Sequence, residues 1–535
     1  MILWIRKHIF QIVFVTISAV IVISGITAYQ LVENQKTPDL LPTHALGNTN
    51  DYHQYIYLLK LGREGHILYH NAYSEETIPD VLLQPLYTVV GFISRPFPIS
   101  LYALYFIFQT VSLLFLFSCI FLLITKTFRR QSSRIFAAVL YFTATGVWYI
   151  TSFSPLTMHP FSLVEYDFDL FLKYHVIPPH HNIAIALIIL IFLSLTGGKK
   201  QSLIAAGVMA FLLGLIHPYI LAMLLLMLCA NAVVETVIER KIWNRAASDF
   251  MFILVSSLPT IAYNYILYRF ILRFTTAVDG VISFLPRTIS WSSYVEAMGP
   301  VFWTAIPSVF LFSQLKKYSL TRTLFLWGFL PILFFFFPDF HLPFAVWRLF
   351  QIYQHIPLAM LTALWIVQLI QIKPIRMTVI VILIATATVY GFLCYSARFK
   401  EVTAPGGLSA HFNYFVPGEL IHVYRFLDTH TPADSVVVAS EMVSSMIPSL
   451  THNRVIIGHI GNNRDYNLKV WEVGNVLGGT LSGDVLKSYL SKRNVSYIIF
   501  GFDAPTLTET SYRTLPFLRV VYGDPSGISV VAVIR

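Results

Sequence analysis

Long apolar runs, separated by gaps that are alternately short and longer, fill the first 400 residues of this 535-residue chain. A helix that crosses a bilayer needs roughly 20 mostly apolar residues, and about eleven runs approach or meet that length. They lie at 8–29, 100–125, 134–152, 181–197, 201–216, 218–238, 248–270, 299–315, 321–337, 350–371 and 376–397. The first has a basic flank, Arg6 and Lys7, but is long for a signal h-region and no A-x-A-like site follows it; it reads as an uncleaved signal-anchor helix. Beyond residue 400 the pattern changes. A linker at 401–416 contains Pro405, Gly406 and Gly407. Short β-branched runs follow at 435–439, 455–457, 495–500, 520–522 and 528–534, alternating with helical stretches near 417–430, 441–450, 465–477, 483–493 and 505–515. Strands alternating with helices predict a small α/β domain with a partly parallel sheet over 417–535.

Charge turns this pattern into a topology. The clusters Arg6/Lys7, Lys126/Arg129/Arg130/Arg134, Lys199/Lys200, Arg240/Lys241/Arg245, Lys316/Lys317/Arg322 and Lys373/Arg376 fall in alternate gaps. Short loops rich in Lys and Arg stay on the cytoplasmic side. The odd number of spans then predicts a cytoplasmic N-terminus and an exterior C-terminal domain. The expected exterior loops are 30–99, 153–180, 271–298 and 338–349, in a transmembrane region of residues 1–400. Within the first, 51–62 reads as a short helix closed by Gly62 and Gly65, and 78–95 as a second helix lying at the membrane interface.

Composition agrees with a polytopic α-helical membrane protein. Hydrophobic residues make up 56% of the chain, charged residues 12%, and the mean hydropathy is +0.66. The net charge of +10 resides in the membrane part, since residues 401–535 hold ten Lys/Arg against eleven Asp/Glu. The excess orients the protein against anionic lipid; nothing in it points to nucleic acid. The three cysteines, Cys119, Cys229 and Cys394, all fall in predicted spans, which excludes a disulfide-stapled exterior domain and a cysteine metal site.

The exterior loops carry the candidate chemistry. Asp51 opens the first of them, with Tyr55 one helical turn on. A carboxylate there suits a general base toward a hydroxyl, or equally a helix cap. In the second loop Glu165, Asp167 and Asp169 alternate, so an extended segment would present all three carboxylates on one face. Together with His180 they suit Mg²⁺ or Mn²⁺, or form a solvated acidic loop. Arg348 opens the tenth span, where guanidinium suits a phosphate and also snorkels readily to a headgroup. Arg63 is a second phosphate candidate, and Glu75 and Glu76 could supply a further acid.

The run DYHQYIYLLKLGREGHILYHNAYSEETIP followed by LLQPLYTVVG resembles the first exterior loop of bacterial GT-C superfold glycosyltransferases that depend on polyprenyl-phosphate sugars. The matching positions are Asp51, Tyr55, Gly62, Gly65, Tyr73, Ser74, Pro85, Tyr87 and Gly91. RVIIGHIGNNRDYNLK resembles a Gly-His stretch ending in Lys in the C-terminal domains of some of these proteins, here Gly458, His459 and Lys469. The resemblance implies a catalytic Asp51, an Arg348 that neutralises the leaving phosphate, and accessory roles for Tyr55, His459 and Lys469. It further implies an inverting transfer to a glycan, lipid or protein acceptor. One departure is that Asp51 is followed by Tyr52, whereas such loops often carry two adjacent acids. Two other classes fit the same topology, a lipid-carrier or solute transporter (a flippase included) and a non-catalytic assembly protein that kept the fold. Against the transporter, the spans are nearly free of ionisable groups and show no repeat.

Overall fold

A computed structural model describes residues 2–34, 40–42, 49–144, 177–271, 291–311, 319–335, 352–370, 372, 374–383, 385–386, 389, 415–459, 463–507 and 510–534. The elements run α1 (Ile2–Asn34), β1 (Leu40–Pro42), α2 (Thr49–Glu64), α3 (Pro85–Ile93), α4 (Leu101–Thr127), α5 (Gln131–Thr143), α6 (Pro179–Gly197), α7 (Lys200–Ile216), α8 (Pro218–Glu239), α9 (Arg245–Ile266), α10 (Trp291–Met298), α11 (Pro300–Ala305), α12 (Ser319–Phe329) and α13 (His355–Leu369). There follow β2 (Phe415–Pro417), α14 (Gly418–His430), β3 (Val436–Val438), α15 (Glu441–Leu450), β4 (Arg454–Val455), α16 (Tyr466–Leu477), α17 (Gly483–Lys492), β5 (Val495–Phe500), β6 (Leu518–Gly523) and β7 (Ser529–Val533). Contacts divide the chain into two units, one of residues 1–30, 107–264 and 286–405, the other of 31–106, 265–285 and 406–535.

The first unit is helical. Among the described residues five helices are long and apolar enough to cross a membrane: His8–Ile26, Leu101–Thr127, Pro179–Gly197, Pro218–Glu239 and Arg245–Phe270. Shorter apolar helices, Lys200–Ile216, Pro300–Leu311, Ser319–Leu333, His355–Gln368 and Pro374–Leu383, stand where the sequence places further spans. Helices α6, α8 and α11 each begin on a proline, whose missing N–H costs nothing at that position. The α6–α7 hairpin turns on Gly198 with φ +68. Small residues bring α7 and α9 together. A Cβ added at Gly214 would sit 2.2 Å from Thr260 Oγ1, and one at Gly207 2.7 Å from Ser256 Oγ. Asn264 Nδ2 closes the contact by donating to the Gly214 carbonyl at 3.0 Å. Arg322 of α12 is buried and pairs with Glu235 of α8, while its Nε donates to Asn231 Oδ1.

The second unit joins the first loop to the C-terminal domain. The domain's five strands run in the order β4-β3-β5-β7-β6. β3 pairs in parallel with β4 and β5, and the β5–β7 and β7–β6 pairs are antiparallel. Strand alternation fills two cores. Val436, Val438, Ile498 and Phe500 pack with Val473, Leu477, Leu486 and Leu490 of α16 and α17. Val437, Ile499 and Val530 pack with Leu420, Val423, Met446 and Ile447 of α14 and α15. Helices therefore cover both faces, as the parallel part of a sheet requires.

Three expectations change. The helix expected at 505–515 reduces, among the described residues, to a single 3₁₀ turn, Ser511–Thr514. The helix expected at 78–95 begins only at Pro85, because Gln84 before it takes a left-handed conformation (φ 44) and Val81 pairs as an isolated bridge with Tyr69. The residue before a proline resists the α region, which sets that boundary. Gly62 does not end α2 but lies inside it. A Cβ at Gly62 would meet the Thr88 carbonyl oxygen at 2.0 Å, and one at Gly91 would meet that of Leu59 at 2.2 Å. The two glycines are where α2 and α3 cross backbone to backbone, and Gly65, with φ +103, ends the helix. Sequence patterning did not foresee the antiparallel pairing of β1 with β2, Leu41 opposite Val416, which ties the first loop to the linker.

Candidate active site

Asp51 sits in the first turn of α2, within the helix rather than at its cap, where the positive end of the helix dipole favours a carboxylate. Its Oδ1 lies 2.7 Å from Nε2 of His459. His459 is nearly buried, its side chain 10% exposed, while that of Asp51 is 42% exposed. The imidazole thus fixes the carboxylate from the protein side, and the Asp51 side chain stays partly exposed. The next residues of α2 point inward. Tyr55 stacks on Tyr87 at 4.7 Å between ring centroids and 3° between planes, and Tyr52 meets Tyr105 edge-on at 4.8 Å. These buried rings hold α2 against α3 and the start of α4, and so hold Asp51 in place.

The peptide carrying His459 is itself anchored. A Cβ at Gly458 would be 2.8 Å from the Tyr73 ring, so only glycine lets that chain lie against Tyr73. Asn463, fully buried, donates through Nδ2 to the carbonyls of Tyr73 and His459, at 2.6 and 3.2 Å. Four residues after Asp465, Lys469 is 3% exposed and its ammonium donates to Glu75 Oε2 at 2.9 Å, Glu76 Oε1 at 3.1 Å and Ser74 Oγ at 3.3 Å. Arg493 pairs with Glu75 and Glu472. Arg454 adds two bonds, from Nη2 to the carbonyls of Ser74 (3.0 Å) and Glu76 (2.8 Å). Cations from the C-terminal domain therefore match the acids of the first loop, and both Glu75 and Glu76 are engaged in this network.

Burial sets the protonation of the groups beneath. His53, two residues after Asp51 on α2, is held neutral, its pKa lowered to about 3 by burial, with Nδ1 3.1 Å from Ser449 Oγ. Burial also lowers the Lys60 ammonium, which donates to the carbonyls of Thr451 (2.5 Å) and Pro448 (3.5 Å) at the C-terminal end of α15, where a cation suits the helix dipole. Beside Lys60 opens a groove of about 580 Å³ lined also by Glu64, His70, Asp434 and His452; Asp51 is not in its walls.

Of the residues singled out by sequence, Asp51, Tyr55, Glu75, Glu76, His459 and Lys469 all fall in this one unit, Asp51 against His459 and Lys469 against the two glutamates. Arg63 is committed elsewhere: its Nη1 donates to the Ile99 carbonyl at 2.6 Å, and Nε and Nη2 both reach Ser94 Oγ, so it clamps the turn after α3. Arg348, Glu165, Asp167 and Asp169 lie outside the described residues. His180 is described and packs with two other histidines. Asn463, Arg454 and Arg493 were not legible beforehand. Asn463 sits in a polar stretch that reads as an ordinary turn, and the two arginines declare themselves only through distant acids.

No protein-family model matches this chain, and no curated protein matches it by sequence. Solved structures do match by shape. The oligosaccharyltransferase of Archaeoglobus fulgidus tethered to an acceptor peptide containing the NVT sequon superposes with a TM-score of 0.53 at 12% identity, over 93% of this chain and 69% of that one. The apo form of that enzyme gives a TM-score of 0.54 at 12% identity, over 93% and 70%. AglB from the same organism, in complex with an inhibitory peptide and a dolichol-phosphate, gives 0.52 at 12% identity, over 93% and 70%. The chain has the GT-C fold. At this identity the likeness is one of architecture, and it fits the apolar helices and the C-terminal sheet described above. The GT-C fold expected from the first-loop motif is therefore present, on a chain only 12% identical to these neighbours.

Proposed function

We propose that this chain is an inverting membrane glycosyltransferase that moves a sugar from a polyprenyl-phosphate donor to an acceptor on the exterior face, with Asp51 as general base. The observation that carries the reading is the Asp51–His459 contact at 2.7 Å, with the carboxylate partly open to solvent. In the proposed step the acceptor hydroxyl attacks the anomeric carbon from the face opposite the phosphate. The new C–O bond forms as the bond to the phosphate oxygen breaks. The hydroxyl proton passes to the Asp51 carboxylate, and the carrier leaves as polyprenyl phosphate. His459 Nε2–H donates to Oδ1 and holds the carboxylate in one orientation, so it is a positioning residue. Pre-orientation of this kind and a well-placed base are each worth orders of magnitude in rate. Arg348 is assigned the leaving phosphate, since guanidinium matches its oxygens bidentately.

The archaeal neighbours were solved with an acceptor peptide and with a dolichol-phosphate, which supports a lipid-phosphate carrier for this chain too. The same reading places about eleven spans in residues 1–400, a linker at 401–416, the N-terminus in the cytoplasm and residues 417–535 outside. The test is sugar transfer from a panel of radiolabelled polyprenyl-phosphate sugars, in membranes carrying wild type or Asp51→Asn. Transfer by wild type that collapses in an equally abundant, folded variant supports the base assignment and names the donor. Transfer that survives the substitution removes Asp51 from the chemistry. No transfer from any donor returns the transporter and scaffold readings.

A further inference from the structure

Three histidines meet in the helical unit, His180 among them. His180 and His181 lie in the first turn of α6, and His217 links the end of α7 to the start of α8. Because α6 and α7 form an antiparallel hairpin through Gly198, both ends come together at the side remote from the Lys199–Lys200 turn. All three are buried, at 5%, 7% and 4% exposure. One ring nitrogen from each lies within 4.8 Å of the other two. Ring centroids are 4.5 Å apart for His180–His181 and for His181–His217, and 5.6 Å for His180–His217.

Two features point to a metal rather than to packing alone. First, the Nε2 atoms of His181 and His217 face each other at 3.3 Å. Nitrogens bound to one tetrahedral zinc at about 2.0–2.1 Å are roughly 3.3–3.4 Å apart, so this pair already has the spacing of a ligand edge. His180 offers the third ring nitrogen, within 4.8 Å of the other two. Second, the scaffold behind the cluster is rigid. Pro179 and Pro218 fix the two backbone entries. Asn182, fully buried one residue on, donates to Ser112 Oγ at 3.3 Å and accepts from the Tyr353 hydroxyl at 3.1 Å.

We propose that His180, His181 and His217 form a tri-histidine site for Zn²⁺, with the fourth tetrahedral position open to water or an anionic oxygen. The donor set selects the metal. Among the described residues the cluster is three imidazoles, a donor set that suits Zn²⁺, whereas Mg²⁺ and Mn²⁺ favour oxygen. Three protein ligands and one open position are the arrangement of zinc sites that bind an exchangeable fourth group.

The test uses the full chain in detergent, purified through a tag that contains no histidine, loaded with Zn²⁺, washed and assayed for metal by mass spectrometry. One zinc per chain is expected for wild type and for the exposed-histidine control His66→Gln. A loss of most of it is expected for His181→Gln and His217→Gln, with His180→Gln intermediate. Because substitution of a buried residue can prevent folding, a second measurement uses wild type alone. Co²⁺ loading is expected to give the intense visible bands of tetrahedral cobalt, lost on adding one equivalent of Zn²⁺. The proposal is overturned if wild type retains no stoichiometric zinc and shows no such bands, which leaves an imidazole–imidazole hydrogen bond. It is equally overturned if folded His181→Gln/His217→Gln keeps as much zinc as wild type. Neither result depends on sugar transfer, so the site stands or falls apart from the proposed activity.

Discussion

Asp51 Oδ1 and His459 Nε2 lie 2.7 Å apart although 408 residues of chain separate them. Under the proposed function Asp51 is the base and needs the contact only for orientation, which gives a graded expectation. Asp51→Asn should lower kcat by about 10²–10⁴-fold, the usual worth of a general base. His459→Ala should lower kcat by less and leave KM for the donor nearly unchanged, and His459→Gln, which keeps an N–H donor, should recover part of the loss. An equal fall in His459→Ala and His459→Gln, or a loss confined to KM, would remove the positioning role.

Much of the fold could be read locally, and this contact could not. The helix at 441–450 and the strand at 495–500 appear where period and β-branching place them, because each needs only its own residues and one buried face. Proline and glycine set boundaries equally locally, at Pro85 and Gly65. The three-residue strands β1 and β2 have no local signature and exist through their pairing. Asn463 reads as a turn residue until the first loop brings the Tyr73 carbonyl to it. Gly62 shows the same limit from the other side. The pattern marks it as a stop, but the close approach of Thr88 makes it a crossing point inside the helix.

Lys469 separates two carboxylates that the fold otherwise brings together. It is 3% exposed and Glu75 10%, so Lys469→Met leaves a buried charge with Arg493 as its remaining close cation. Breaking a buried pair from one side costs about 3–5 kcal/mol. Glu76, at 40% exposure, is in a different regime, and Glu76→Gln should change stability by no more than about 1 kcal/mol. Unfolding of the full chain in detergent, followed by calorimetry, should show Lys469→Met unfolding well below Glu76→Gln. Similar midpoints for the two would mean that the cluster is solvated.

The crossing of α2 and α3 predicts opposite outcomes for two Gly→Ala changes. Gly91→Ala puts a methyl 2.2 Å from the Leu59 carbonyl oxygen, and backbone cannot rotate away as a side chain can. Overpacking of this kind costs about 1–3 kcal/mol or more. Gly474 lies on the exposed face of α16 with nothing within 4 Å of an added Cβ, so Gly474→Ala should stabilise by about 0.5–1 kcal/mol. Midpoints that move the same way in both variants would contradict the close approach.

His53 makes the second unit sensitive to acid. Burial lowers its pKa from 6.5 to about 3, so the folded chain holds it neutral while the unfolded chain takes up a proton near pH 6.5. The sign follows from linkage. Above pH 6.5 neither state binds the proton and His53 has no effect on the pH slope; as pH falls from 6.5 toward 3 only the unfolded state gains it, and stability is lost. At about 1.36 kcal/mol per unit, the loss from this one residue between pH 6.5 and pH 5 is about 2 kcal/mol. His53→Gln removes the titrating group and keeps a polar atom for Ser449, so it should flatten the acid side of the stability profile while lowering stability slightly at pH 7. Unfolding midpoints of both proteins at pH 7, 6 and 5 decide the matter: parallel profiles would mean that His53 is protonated in the folded state.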